Sequence, residues 1–125
     1  MAKLKEVEFR PGTTPMLTAI VDGEDIQDAT IYVAVVSGDR RVLKTNYNDS
    51  DAVIAEPVYS GNQIVGTQIT VQYSQADSLA LIPGYGVVQV GWVFEDRSAD
   101  KSNLGRVFIS NDIIKEVMAY GRHSS

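Results

Sequence analysis

Val87-Val88-Gln89-Val90-Gly91-Trp92-Val93-Phe94-Glu95 decides the fold. Val88, Val90, Trp92 and Phe94 fall on one face of an extended chain, and Val87, Gln89, Gly91 and Val93 on the other. That period of two is the signature of a strand with one face against a core. Ile31-Tyr32-Val33-Ala34-Val35-Val36 is apolar on both faces, which suits a central strand. Moving outward, Val7 and Phe9 alternate with Glu6, Glu8 and Arg10, and Leu17, Ala19 and Val21 form a second alternating run. Further strands are read at 41–47, 53–58, 63–73 and 104–109. Turn dipeptides separate them: Pro11-Gly12, Asp22-Gly23, Gly61-Asn62 and Pro83-Gly84. Pro57 lacks an N–H, so its strand belongs at an edge or on a bulge. Gly66 marks a bulge or bend in the long strand.

Two short helical elements interrupt this pattern. Ser74 can cap a helical turn over 74–78. Ser110 or Asn111 can cap a short C-terminal helix, in which Ile113, Ile114, Val117 and Met118 recur at helical spacing. About seven or eight short strands with one terminal helix predict an all-β, antiparallel sandwich. Two sheets with one apolar face each can bury those faces only against one another. The expected organisation is one sandwich domain over 1–120 and a loose tail over 121–125.

Composition narrows the function classes. The chain has 125 residues, 44% apolar and 22% charged, enough for one real core. The absence of cysteine removes disulfides, thiol catalysis and thiolate zinc sites. Net charge is −5, which disfavours phosphate backbones and anionic membranes as partners. No stretch approaches the ~18 apolar residues of a spanning helix. The opening Met1-Ala2-Lys3-Leu4-Lys5-Glu6 lacks the apolar run of a signal peptide, so no N-terminal secretory route of that kind is expected.

Catalytic sets are hard to assemble. The sole histidine, His123, falls in the expected tail, where nothing holds a general base in place. Glu56, Asp77, Glu95 and Asp96 are the carboxylates to consider for paired-acid chemistry, but most fall in or beside turns and read as surface solvation. Two acidic segments, Asp22-Gly23-Glu24-Asp25 with Asp28, and Asn46 with 48–51, offer oxygen ligands; polar turns explain both without a metal. Gly84-Tyr85-Gly86 begins like a dinucleotide motif, but Gln89 stands at the third glycine and a strand follows. No enzyme, cofactor or metal is therefore expected. Trp92 is expected to fill the core, whereas the tyrosines divide between core edge and binding surface. Two apolar segments are candidate protein contacts where they do not close the core: Leu79, Leu81 and Ile82 beside Tyr85, and the stripe Ile113, Ile114, Val117 and Met118.

Several stretches resemble small head or tail accessory proteins of phages and prophages of Gram-positive bacteria. The segment 66–79 is similar to their alternating strand that runs into a Ser-Gln corner. The strand 88–96, with Trp92 and its acidic turn, resembles theirs, as does the closing segment 102–108. Phe9-Arg10-Pro11-Gly12-Thr13-Thr14-Pro15 is similar to an opening shared with immunoglobulin-like domains of phage baseplate upper proteins. The likeness is weak over 39–61, and Gly91 and the 96–103 loop depart from the pattern. The resemblance implies an immunoglobulin-like sandwich in a virion component without catalytic activity. Such a protein is made in the bacterial host cytoplasm and contacts other virion proteins as a homo-oligomer or symmetric array. A carbohydrate-binding or host-adhesion module is the alternative.

Overall fold

A computed structural model describes residues 2, 3 and 7–121. Among the described residues ten strands, one short α-helix and one 3-10 turn follow in order: β1 (Ala2–Lys3), β2 (Val7–Phe9), β3 (Met16–Asp22), β4 (Thr30–Ser37), β5 (Arg40–Thr45), the 3-10 turn (Tyr47–Asp49), β6 (Val53–Ser60), β7 (Gln63–Gln72), α1 (Gln75–Leu79), β8 (Gly84–Val93), β9 (Ala99–Lys101) and β10 (Gly105–Ile109). They form an all-β sandwich of two sheets. One sheet has the order β1-β3-β7-β6; the other runs β2-β10-β8-β4-β5, with β9 paired to β8. Every pairing is antiparallel except β2 with β10. The first strands thus divide between the sheets, and the segment Pro11-Gly12-Thr13-Thr14-Pro15 crosses from one to the other.

Alternation places the core. Leu17, Ala19 and Val21 of β3 and Ile69 and Val71 of β7 face Ile31, Val33 and Val35 of β4 and Val88, Val90 and Trp92 of β8. Trp92 is 4% exposed and fills the core as its position in the alternation requires. Phe9 and Tyr73 close one end, with ring centroids 4.9 Å apart. β6 is an edge strand, which accommodates Pro57. Its register against β7 shifts between Val58, opposite Gly66, and Tyr59, opposite Ile64, so Val65 bulges beside Gly66. A Cβ on Gly66 would lie 2.8 Å from the Val21 carbonyl oxygen, so only glycine lets β3 and β7 approach there.

Two local expectations turn out differently. Residues 96–101 do not form a simple loop: β9 returns along β8, pairing Ala99 with Val93 and Lys101 with Gly91. The turn is tight enough to set Arg97 at φ 71. The expected C-terminal helix is absent, because residues 110–121 carry no regular structure. Ser110 instead prolongs the β2–β10 ladder, its N–H donating to the Phe9 carbonyl at 2.9 Å. Farther on, the Gln75 side-chain amide takes both the N–H and the carbonyl of Met118. These tertiary bonds, with three β-branched residues of low helix propensity, outweigh the apolar spacing.

Candidate functional site

α1 is built by its own sequence. Ser74 accepts a bond from the Asp77 N–H, while the Asp77 carboxylate accepts from the Ser74 N–H at 2.8 Å, a reciprocal cap. That helix carries the first candidate segment to one end of the sandwich. Leu79 is half-buried, and with Pro11, Pro83 and Lys115 it lines a shallow groove. Leu81 is 4% exposed and belongs to the core, so it is not available for a contact. Ile82 stays exposed beside Gly38, with its N–H donated to Ser37 Oγ at 2.7 Å.

The C-terminal segment folds over the same end. Its first residues complete the groove beside Leu79, and Ile113, Ile114 and Met118 line a second depression around Arg10, Pro11 and Thr13. Ile113 is 94% exposed; Ile114, Val117 and Met118 are exposed as well. The two segments singled out in the sequence are therefore neighbours, although 113–118 is an irregular strap without a helical stripe. His123 lies outside the described residues.

Tyr85 points elsewhere, and it leads to a surface that the sequence reading passed over. It is 62% exposed on the outer face of the six-stranded sheet. Phe108 lies opposite it on β10, ring centroids 5.1 Å apart, and the Arg106 guanidinium sits 4.3 Å above its ring. The register then lays out the face row by row. Arg106, Val87, Val36 and Arg41 form one row; Gln89, Ala34 and Leu43 the next; Lys101, Gly91, Tyr32 and Thr45 a third. Apolar side chains occupy the middle, and Arg41, Lys101 and Arg106 flank it. Among the described residues in these rows the one carboxylate is Glu8, opposite Phe108 and 3.6 Å from Arg10. The outer face of the other sheet mixes Thr18, Thr70, Gln68 and Glu56 with exposed Met16 and Ile54 and, among the described residues, carries no comparable group of cations. The signal for the apolar face was in the sequence: β4 and β8 are apolar on both faces, and a two-layer sandwich covers only one.

The titratable groups are dispersed. Asp77 lies at the α1 end, whereas Glu95 and Asp96 sit in the β8–β9 turn, a ten-residue strand away. Glu56 stands on the edge strand β6. These carboxylates do not face one another across a cleft. Among the described residues no three His, Cys, Asp or Glu side chains converge to hold a metal ion. Hydrogen bonds from the Ser98 side chain and backbone hold the Asp96 carboxyl below its ordinary value. Burial, and after it the Asp77 charge, push the Tyr73 phenol well above its usual range, so it stays neutral at physiological pH. Its hydroxyl has no hydrogen-bond partner among the described residues.

Asp77 also pairs with Lys44, whose Nζ reaches its carboxylate at 2.6 Å. Burial pushes the Asp77 carboxyl up, but the bonds from Lys44 and Ser74 and the Lys44 charge outweigh it, and the net shift is downward. A depressed carboxyl contributes stability above its unfolded value and loses it as pH falls through the folded one. Asp77→Asn is accordingly expected to lower the urea midpoint at pH near 7 by the equivalent of about 1 kcal/mol. The difference should close below the ordinary carboxyl value of 3.8. An unchanged gap in urea titrations on both sides of that value would contradict an ionic origin.

No model of a known protein family matches the chain, and no curated protein matches it in sequence.

Proposed function

We propose that this chain is an immunoglobulin-like structural module of a phage virion that acts by protein–protein contact and has no catalytic role. The order β1-β3-β7-β6 corresponds to the A-B-E-D sheet of that fold, and β5-β4-β8-β10 to its second sheet with one added strand. The resemblance of the 9–15, 66–79 and 88–96 segments to phage accessory proteins supplies the virion setting.

The observation that carries the contact role is the apolar outer face of the six-stranded sheet. Monomeric soluble proteins rarely leave an apolar patch of several hundred Å² uncovered. This face spans β10, β8, β4 and β5, about 20 Å across at the usual strand spacing and about 27 Å along eight residues. The adhesion alternative draws less support, because the Tyr85 ring already has partners in Phe108 beside it and Arg106 over it.

The test uses Leu43→Glu with Val87→Glu. Both residues are exposed, so thermal unfolding should stay within a few degrees of wild type. Mass spectrometry of purified virions is expected to find the wild-type chain and not the double variant. Virions without the wild-type chain, or with both forms equally, would count against the reading.

A further inference from the structure

We infer that the partner of the six-stranded face is the acidic end of a second copy of this chain, so that copies join head to tail. The inference rests on the contact reading above and goes beyond it in naming the occupant and the geometry.

Charge partition carries the argument. In a chain of net charge −5, the outer face shows Arg41, Lys101 and Arg106 around an apolar centre, against Glu8 alone. The surplus carboxylates gather at the end away from α1. The β3–β4 loop brings Glu24, Asp25 and Asp28 there without a basic residue; the β8–β9 turn adds Glu95 and Asp96 with Arg97 between them and Ser98, and β9 adds Asp100. Glu24 of that loop and Trp92, Asp100, Lys101 and Asn103 line one depression, which sets the loop beside β9 and puts Lys101 at the border between the acidic end and the face. The loop is held in that place from within: buried Thr67 accepts the Ile26 N–H at 3.0 Å and donates to the Glu24 carbonyl at 2.8 Å. Leu104, 63% exposed in the strand connection just beyond Asn103, offers an apolar residue next to the acids.

A two-fold pairing of face against face is the simpler way to bury apolar surface, and the charges oppose it. It would bring three cations from each copy together with no carboxylate between them, apart from Glu8, which already pairs with Arg10. Acidic end on cationic face satisfies both surfaces. Because the two patches differ, each copy keeps one of each free, and the contact propagates into a ring or an open chain. A face of roughly 500 Å² is at the small end for stable association, so the contact is weak in dilute solution and effective where copies are concentrated.

Sedimentation velocity on the full chain provides the test. Wild type is expected to associate beyond a dimer at high micromolar concentration and low ionic strength, weakening at least about tenfold in 0.5 M salt. Arg41→Glu with Arg106→Glu removes the face; Glu24→Lys with Glu95→Lys removes the end. Each double variant alone is expected to be monomeric. An equimolar mixture has one intact face and one intact end, so it should form dimers and nothing larger. Wild type that stays monomeric overturns the inference, as does wild type that stops at a dimer. The contact reading is separable: virion incorporation that is lost in Leu43→Glu with Val87→Glu, while wild type is monomeric in solution, leaves that reading standing and assigns the face to another protein.

Discussion

Gly86→Ala is expected to destabilise the fold by about 3 kcal/mol. Gly86 lies on the inner side of β8, opposite Val107 of β10. A Cβ there would sit 2.5 Å from the Val36 carbonyl oxygen and 3.1 Å from both Ser37 Cβ and Val107 Cγ2. The first of these is backbone in β4, an interior strand of the sheet, and cannot rotate away as a side chain can. Relief requires β4 and β8 to part where Val36 and Val87 pair, in the middle of the face proposed as the contact. For a domain of this size the cost corresponds to a drop of roughly 10 °C in melting temperature. Gly121→Ala is the control: nothing lies within 4 Å of its added Cβ, and its melting temperature should match wild type. A Gly86→Ala variant melting within about 2 °C of wild type would mean that the strands yield more easily than a ladder should.

The same pair of strands shows how far the sequence could be read. The double-sided apolar run 31–36 was sufficient to place β4 inside a sheet, and alternation in 87–95 to make β8 a strand with one face on the core. Pro57 and the capping potential of Ser74 were legible for the same reason: each expresses a local backbone requirement that holds in any fold. The C-terminal helix was misread because apolar spacing is only a prior. Gln75 reaches Met118 from 43 residues away, and no periodicity encodes that bond. The cationic rim was illegible for a similar reason. Arg41, Lys101 and Arg106 come from three strands, and only the register sets them around one face. Leu81 and Ile82 illustrate the limit most closely. They are adjacent and equally apolar, yet the turn after α1 buries the first and exposes the second.

Ser78→Ala is expected to cost about 2 kcal/mol, more than loss of an exposed helix cap, although it removes one oxygen. Ser78 is fully buried on α1. Its hydroxyl accepts the Gly12 N–H at 2.9 Å and donates to the Thr13 carbonyl at 2.8 Å. One side chain therefore fastens α1 to the segment that crosses between the sheets. Gly12 has φ +81, and its added Cβ would lie 3.3 Å from the Glu116 carbonyl, so the crossing is packed under the strap on its other side. Alanine would leave the Gly12 N–H buried without a partner, and an unpaired buried donor costs more than the bond it made was worth. The loss should be local before it is global. Hydrogen exchange in Ser78→Ala is expected to accelerate at Gly12 and at Met118, whose N–H is held by Gln75 of the same helix. The β4 and β8 amides should keep their relative protection, because their bonds lie across the sheet from this corner. Uniform acceleration over every strand would place Ser78 in the cooperative core instead, and unchanged exchange at Gly12 would remove the serine as the fastening of this end.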